Sequence, residues 1–181
     1  LLMAIYERTQ EIGLLGAIGL KPREITFLFL IEGIMIACHA IRSNSAYLYL
    51  RYEYGRSYRA LDAAVKECYA AGLLGKNIKG TGFNLDVVLH RGAGAYICGE
   101  ETALFNSLEG KRGEPRSKPP FPVTHGLFGK PTGINNVETL INVLQVLELG
   151  ADAYAALGTE GSTGTRLFCL SGHVEHPGVY E

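Results

Sequence analysis

The stretch RGAGAYICGEET, from Arg91 to Thr102, gathers residue types suited to a flat or phosphorylated ligand. Gly92, Gly94 and Gly99 allow close backbone approach, because no Cβ stands in the way. The spacing is not G-x-G-x-x-G, since Ile97 stands where the third glycine would be. It is not a phosphate loop either, since no Gly-Lys-Ser/Thr follows. Glu100 and Glu101 fall at a predicted helix start, where the helix dipole stabilises carboxylates. Two negative charges disfavour a bare phosphate at that point. They suit a ligand that donates a hydrogen bond, such as a ribose hydroxyl, a ring N–H or an amide. Simple charge complementarity at the helix start is the alternative.

Two further groups follow. The run KRGEPRSKPPFP (Lys111 to Pro122) clusters Lys111, Arg112, Arg116 and Lys118 around Phe121 in a proline-stiffened frame. A cation beside a fixed aromatic suits a nucleotide, with charge for phosphate and a ring to stack on the base. A solvated loop with a packed Phe is the alternative. The run GINNVET (Gly133 to Thr139) puts Asn135 and Asn136 at another predicted helix start, where amides cap the helix or face a ligand. His39, His90, His125, His173 and His176 show no metal-ligand spacing, and no Ser-His-Asp arrangement follows from order alone. Cys38, Cys68, Cys98 and Cys169 form no C-x-x-C pair. Neither a zinc site nor an iron–sulfur cluster is read from them, and reduced thiols of an intracellular protein are expected.

These groups need elements to position them. Leu1 to Leu20 reads as helix, and Lys21-Pro22 breaks it, with Pro22 suited to the first turn of a second helix to Ile41. Ala46 to Arg51 (AYLYLR) reads as a strand. Ser57 to Leu74 reads as an amphipathic helix, with Tyr58, Leu61, Ala64, Val65 and Cys68 on one face. Asn84 to His90 (NLDVVLH) is a second strand, so the three make a βαβ unit and imply a parallel sheet. RGAGA then lies at a strand's carboxyl end, where open α/β sheets bind ligands. Gly99 to Leu108 is read as helix and Lys111 to Ile134 as a long loop, a length usually kept for function. Helices over Asn135 to Leu149 and Ala151 to Leu157 and a strand over Arg166 to Ser171 follow, with no obvious terminal element before Glu181.

The chain has 181 residues, 47% of them hydrophobic, 23 glycines and a net charge of −1. There is material for a packed core, and the basic excess of a nucleic-acid or anionic-membrane binder is absent. The most apolar window, Ile25 to Ile41, carries Glu32 in its middle. It is shorter than the ~20 residues of a membrane span. A carboxylate at mid-bilayer costs about 2.5–3.5 kcal/mol. No signal-peptide pattern is visible at the start.

Taken in order, RGAGAYICGEETALFNSLEGKRGEPRSKPPFP and GLFGKPTGINNVETL resemble the flavin-site core of the NuoF-like flavoprotein component of NADH-quinone oxidoreductase (respiratory complex I) and its hydrogenase and formate dehydrogenase relatives. AYLYLRYEY, GTGFNLDVVLHRGAG and LFCLSGHVEHPGVYE add to the likeness in the right order. The resemblance implies a Rossmann-like parallel-sheet α/β domain over residues 33–160 and the first strand of a ubiquitin-like (SLBB) domain over 161–181. It implies FMN near the Gly92 and Gly94 turn, Tyr96, Gly99, Glu100, Asn135 and Asn136, and NADH contacts from Glu101, Lys118 and Phe121. The implied activity is NADH dehydrogenation, with hydride transfer from NADH to FMN and then electrons to iron–sulfur clusters. No residue need act as a general acid or base, because the cofactors carry the chemistry. The implied partners are iron–sulfur subunits of a complex I-like or soluble NADH-linked assembly. The implied place is the cytoplasm, peripheral on the inner face of a bacterial inner membrane, without membrane insertion of residues 33–181 and without nucleic acid.

The chain departs from that pattern. It lacks the family's upstream glycine-rich FMN loop and the C-terminal domain that holds a 4Fe-4S cluster. In isolation it is therefore expected to bind FMN weakly or not at all and to be inactive. Residues 1–32 (LLMAIYERTQEIGLLGAIGLKPREITFLFLIE) instead resemble an FtsX/MacB-like permease segment of ABC exporters. A fusion of two reading frames near Glu32 is expected, with Leu1 to Gly19 packing poorly on the rest. An exporter permease fragment and a non-catalytic chimeric fragment are the alternative readings.

Overall fold

A computed structural model describes residues 22–180 of the protein. Helix α1 (Pro22–Ala40), strand β1 (Ser45–Leu50), helix α2 (Gly55–Ala70) and strand β2 (Asp86–Arg91) come first. The two strands pair in parallel, with Ser45 opposite Asp86 and Leu50 opposite Arg91. A parallel pair needs a crossover, and α2 supplies it. The chain continues through α3 (Glu101–Leu108), α4 (Pro122–His125), α5 (Val137–Leu149) and α6 (Ala151–Ala155). Two small antiparallel ribbons follow, β3 (Gly158–Thr159) with β4 (Ser162–Thr163), and β5 (Phe168–Leu170) with β6 (Gly178–Tyr180). The architecture is the mixed α/β, Rossmann-like arrangement implied by the sequence.

Alternation along the strands sorts the two faces of the sheet. Leu48, Leu50 and Val87 are buried in the core, while Tyr47 and Val88 lie exposed on the other face. There Tyr49 stacks on His90, its partner in the register, with ring centroids 5.3 Å apart. Helix α2 turns Leu61, Ala64, Val65 and Cys68 into the core, the i, i+3, i+4, i+7 spacing of one helical face. It ends at Ala70 rather than at Leu74, because Gly72 adopts φ +66° and terminates the helix. Leu74 then folds back into the core.

Helix α1 packs against both α2 and α5. A Cβ on Gly33 would collide with the carbonyl of Leu140 in α5, so glycine lets the two backbones touch. The helix runs unbroken through residues 32 and 33, and Leu30, Ile31 and Ile34 around that point are all buried in one core. The expectation about Leu1 to Gly19 lies outside the described residues. Among the described residues no helix is long and apolar enough to cross a membrane.

Three sequence expectations need correction. The segment Lys111 to Ile134 is not featureless, since α4 and a 3-10 turn at Leu127–Gly129 interrupt it. Helix α5 starts at Val137, with Asn136 at the capping position but without a side-chain bond to the helix. The chain does have an element near its end: Gly178–Tyr180 pairs with Phe168–Leu170 in a hairpin whose connection, SGHVEHP, carries no two-residue turn signal.

Candidate functional site

The carboxyl ends of β1 and β2 and the turn after β2 enclose a cavity of about 440 Å³. That lies within the roughly 300–1,000 Å³ of small-molecule sites. Gly92, Gly94, Tyr96, Gly99 and Glu100 line it together with Tyr49, Arg51, Cys98 and Leu104. Gly92 is required by packing, because a Cβ there would run into the Tyr49 hydroxyl and ring. Gly94 takes φ +96°, a conformation that disfavours side chains. Tyr49 is itself fixed by a 2.9 Å hydrogen bond between its hydroxyl and Ser107 Oγ. Burial pushes its phenol pKa up, the Ser107 bond opposes this, and the neighbouring Cys98 thiol adds to the rise.

At the mouth, Tyr96 is 85% exposed, a large ring held in water by a 3-10 turn at Tyr96–Gly99. The Arg51 guanidinium lies 5.9 Å from the ring centroids of both Tyr96 and Tyr54 and pairs with Glu53 at 3.0 Å. Arg91 braces the same edge, donating to the Tyr52 carbonyl from Nε and Nη2 at 3.1 and 2.7 Å.

Of the two tasks weighed from the sequence, the helix-start role is visible at Glu100. Its Oε2 caps α3, accepting from the backbone N–H groups of Thr102 and Ala103 at 2.9 and 2.8 Å and from the Thr102 hydroxyl at 2.6 Å. Its Oε1 stands 3.9 Å from Lys118 Nζ. Burial pushes the Glu100 carboxyl up. The Thr102 hydroxyl, the two backbone donors and Lys118 outweigh it and hold it below the usual carboxylate range. Lys118 also pairs with Glu101. That carboxylate holds its ammonium above the usual range against partial burial, and Glu100 helps.

The basic cluster read from the sequence is not a free anion site. Arg112 pairs with Glu114 at 3.0 Å, Lys111 and Arg116 both reach Glu109, at 2.7 and 2.8 Å, and Lys118 is held by Glu100 and Glu101. The acidic residues interleaved in KRGEPR and just before it neutralise the charges. Phe121, 56% exposed, lies beyond Lys118 in the same loop. Asn135 and Asn136 are exposed on the segment leading into α5 and are not part of the cavity lining. Five of the sequence-derived positions therefore meet in the cavity, and Glu101 and Lys118 join it through Glu100. Tyr49 and Arg51 were missed. The signal that would have found them is the rule that ligands sit at strand carboxyl ends, applied to β1 as well as β2. An open cavity with glycine on one wall, aromatic rings at floor and mouth and one carboxylate fits a flat heteroaromatic ring with N–H donors.

Residues 26–145 match the profile of the family described as the Nuo51 FMN-binding domain. The chain belongs to that family. Its Nuo51 relatives include the F subunit of the NADH-quinone oxidoreductase of Streptomyces coelicolor, 54% identical over 164 residues, covering 88% of this chain and 36% of that protein. The corresponding protein of Aquifex aeolicus is 55% identical over 152 residues, covering 84% of this chain and 36% of that protein. Among solved structures, an NAD+-reducing NiFe hydrogenase in its H2-reduced state superposes with a TM-score of 0.74 at 45% identity. That superposition covers 85% of this chain and 26% of the hydrogenase chain. The chain thus spans about a third of the length of these curated relatives. A shorter match, to the FtsX-like permease C-terminal family, covers residues 1–41. The two matches share residues 26–41, most of helix α1.

Proposed function

We propose that this chain carries the flavin-facing and nicotinamide-facing wall of an NADH dehydrogenase flavoprotein. The observation that carries this reading is the cavity at the parallel strands' carboxyl ends, lined by Gly92, Gly94, Tyr96, Gly99 and Glu100. Bound FMN supplies the redox chemistry there: a hydride, two electrons with one proton, arrives from NADH, and the electrons leave singly to iron–sulfur clusters. The residues of this chain bind and orient. Gly92, Gly94 and Gly99 let a planar ring lie against backbone. Tyr96 covers it from the solvent side, and Glu100 accepts from ring N–H groups. Glu101, Lys118 and Phe121 meet the nucleotide, and Asn135 and Asn136 offer amide donors from the start of α5.

The domain reading follows: residues 33–160 as the FMN and NADH domain, 161–181 as the beginning of an SLBB domain, and 1–32 as a permease-like segment. The partners are iron–sulfur subunits, one of them thioredoxin-like, and the place is the cytoplasmic side of a bacterial membrane complex or the cytoplasm. An exporter permease is the second reading, favoured only by the match over residues 1–41. The burial of Leu30, Ile31 and Ile34 in the α/β core weighs against it.

A hybrid tests the function. Residues 33–181 replace the corresponding segment of the Aquifex aeolicus relative, and NADH oxidation is followed with an artificial acceptor. The hybrid is expected to hold FMN and oxidise NADH. A folded hybrid without either property overturns the proposal.

A further inference from the structure

The segment that carries Lys118 and Phe121 is gathered around one carboxylate at its own start. The Glu109 side chain is 8% exposed. Its Oε2 pairs with Lys111 Nζ at 2.7 Å and Arg116 Nη2 at 2.8 Å, and its Oε1 accepts from the Phe128 N–H at 2.9 Å. Arg116 Nη2 is buried and makes no aligned hydrogen bond, so the Glu109 charge is what compensates it. The rest of Arg116 is bound on several sides. Its Nε donates to Asn106 Oδ1 at 2.9 Å, its Nη1 to the Gly126 carbonyl at 3.3 Å, and its guanidinium sits 5.5 Å from the Phe105 ring centroid.

The connection continues into the cavity. The Arg116 backbone N–H donates to Thr102 Oγ1 at 2.8 Å, and the same hydroxyl donates to Glu100 Oε2 at 2.6 Å. Thr102 is 3% exposed, so this relay is shielded from water. A hydroxyl that accepts on one side and donates on the other fixes its own orientation. One chain of bonds therefore runs from Glu109 through Arg116 and Thr102 to the carboxylate lining the cavity.

We propose that Glu109 and Arg116 are positioning residues that set the Lys118–Phe121 segment and, through Thr102, the orientation of Glu100 for a nicotinamide nucleotide. They touch no ligand; they act through Thr102 and through the loop. This inference rests on the proposed function only for the identity of the ligand, and the relay itself does not depend on it.

The test uses the full chain, isotopically labelled, with amide hydrogen exchange read residue by residue, and NADH is titrated separately into the Aquifex aeolicus hybrid carrying the same substitutions. In Glu109→Gln the Phe128 and Arg116 amides are expected to exchange about tenfold faster, the scale of a lost charge-assisted bond. The Thr102 and Ala103 amides are expected to follow, while those of β1 and β2 keep their protection. Thr102→Val cuts the relay in the middle, and there the Arg116 and Ala103 amides change while Phe128 does not. NADH affinity is expected to fall about tenfold in Glu109→Gln if the carboxylate's network is worth one such bond. Loosening at Phe128 with Thr102 and Ala103 unchanged overturns the relay. Equal loosening everywhere reduces Glu109 to a general stabiliser and overturns it too. Transmission to Thr102 with NADH affinity unchanged overturns the positioning role. If the unsubstituted hybrid binds no NADH, the proposed function fails, and the exchange pattern still decides the relay.

Discussion

The body built from α1, α2, β1 and β2 and the segment from Glu109 to Thr132 are held together by different physics. In the body, Ile31, Leu61, Leu85 and Val87 bury apolar surface in one cluster, beside a parallel strand pair that satisfies its own backbone. In the segment, Pro122, Gly126 and Leu127 are the buried residues, and order comes from charge and from backbone caught by side chains. Apolar burial is non-directional and survives changes of pH and salt. Charge-assisted bonds fix orientation more sharply and depend on protonation. A cavity that needs a firm floor and an adjustable rim is served by that division.

The comparison can be broken at four places. The largest effect belongs to the body. Leu85→Ala removes a side chain that is 0% exposed and is expected to cost about 2–5 kcal/mol, measured by urea unfolding. A smaller loss would mean that the cluster is loosely packed. In the segment, Glu109 sits at about pKa 2 against a usual 4.5, because Arg116 and then Lys111 hold it ionised. Its folded-state pKa is depressed, so its contribution is complete above about pH 4.5 and disappears as the pH falls towards 2. Stability curves of the chain and of Glu109→Gln are expected to converge at the acid end, from a difference of about 1.5–3 kcal/mol near neutrality. Parallel curves would remove charge from the account of the segment.

At the boundary between the two regions, Gly92→Ala drives a Cβ into Tyr49. It is expected to cost about 1–3 kcal/mol and to perturb the Tyr49 and His90 ring signals. Unchanged ring signals would show that the floor yields. The smallest effect is on the surface of the body. Asp62→Ala breaks an exposed pair with Lys66 at 2.6 Å and is expected to shift the unfolding free energy by less than about 0.5 kcal/mol.

The same division explains what could be read in advance. The period of Leu61, Ala64, Val65 and Cys68 in α2 and the alternation of Leu48 and Leu50 in β1 are direct projections of burial onto sequence, so the βαβ unit was legible. The glycines at 92 and 94 were legible for a similar reason, since packing against Tyr49 and a φ of +96° demand that residue type. The Glu109 hub was not. Its partners lie at Lys111, Arg116 and Phe128, without period, and the intervening cations read as a basic patch until their carboxylates are placed. Arg51 was missed because its role comes from the rings of Tyr54 and Tyr96, the second brought near only by the parallel pairing of β1 and β2. The β5–β6 hairpin escaped because its connection, SGHVEHP, holds no two-residue turn signal.

The central claim is that the wall from Gly92 to Glu101 faces a flavin, and a titration with FMN of the Aquifex aeolicus hybrid that carries residues 33–181, isotopically labelled, tests it most directly. The amide signals of Gly92, Gly94, Tyr96, Gly99 and Glu100 are expected to move together. Signals that stay fixed there at every FMN concentration, or that move only on the β5–β6 ribbon, would contradict it.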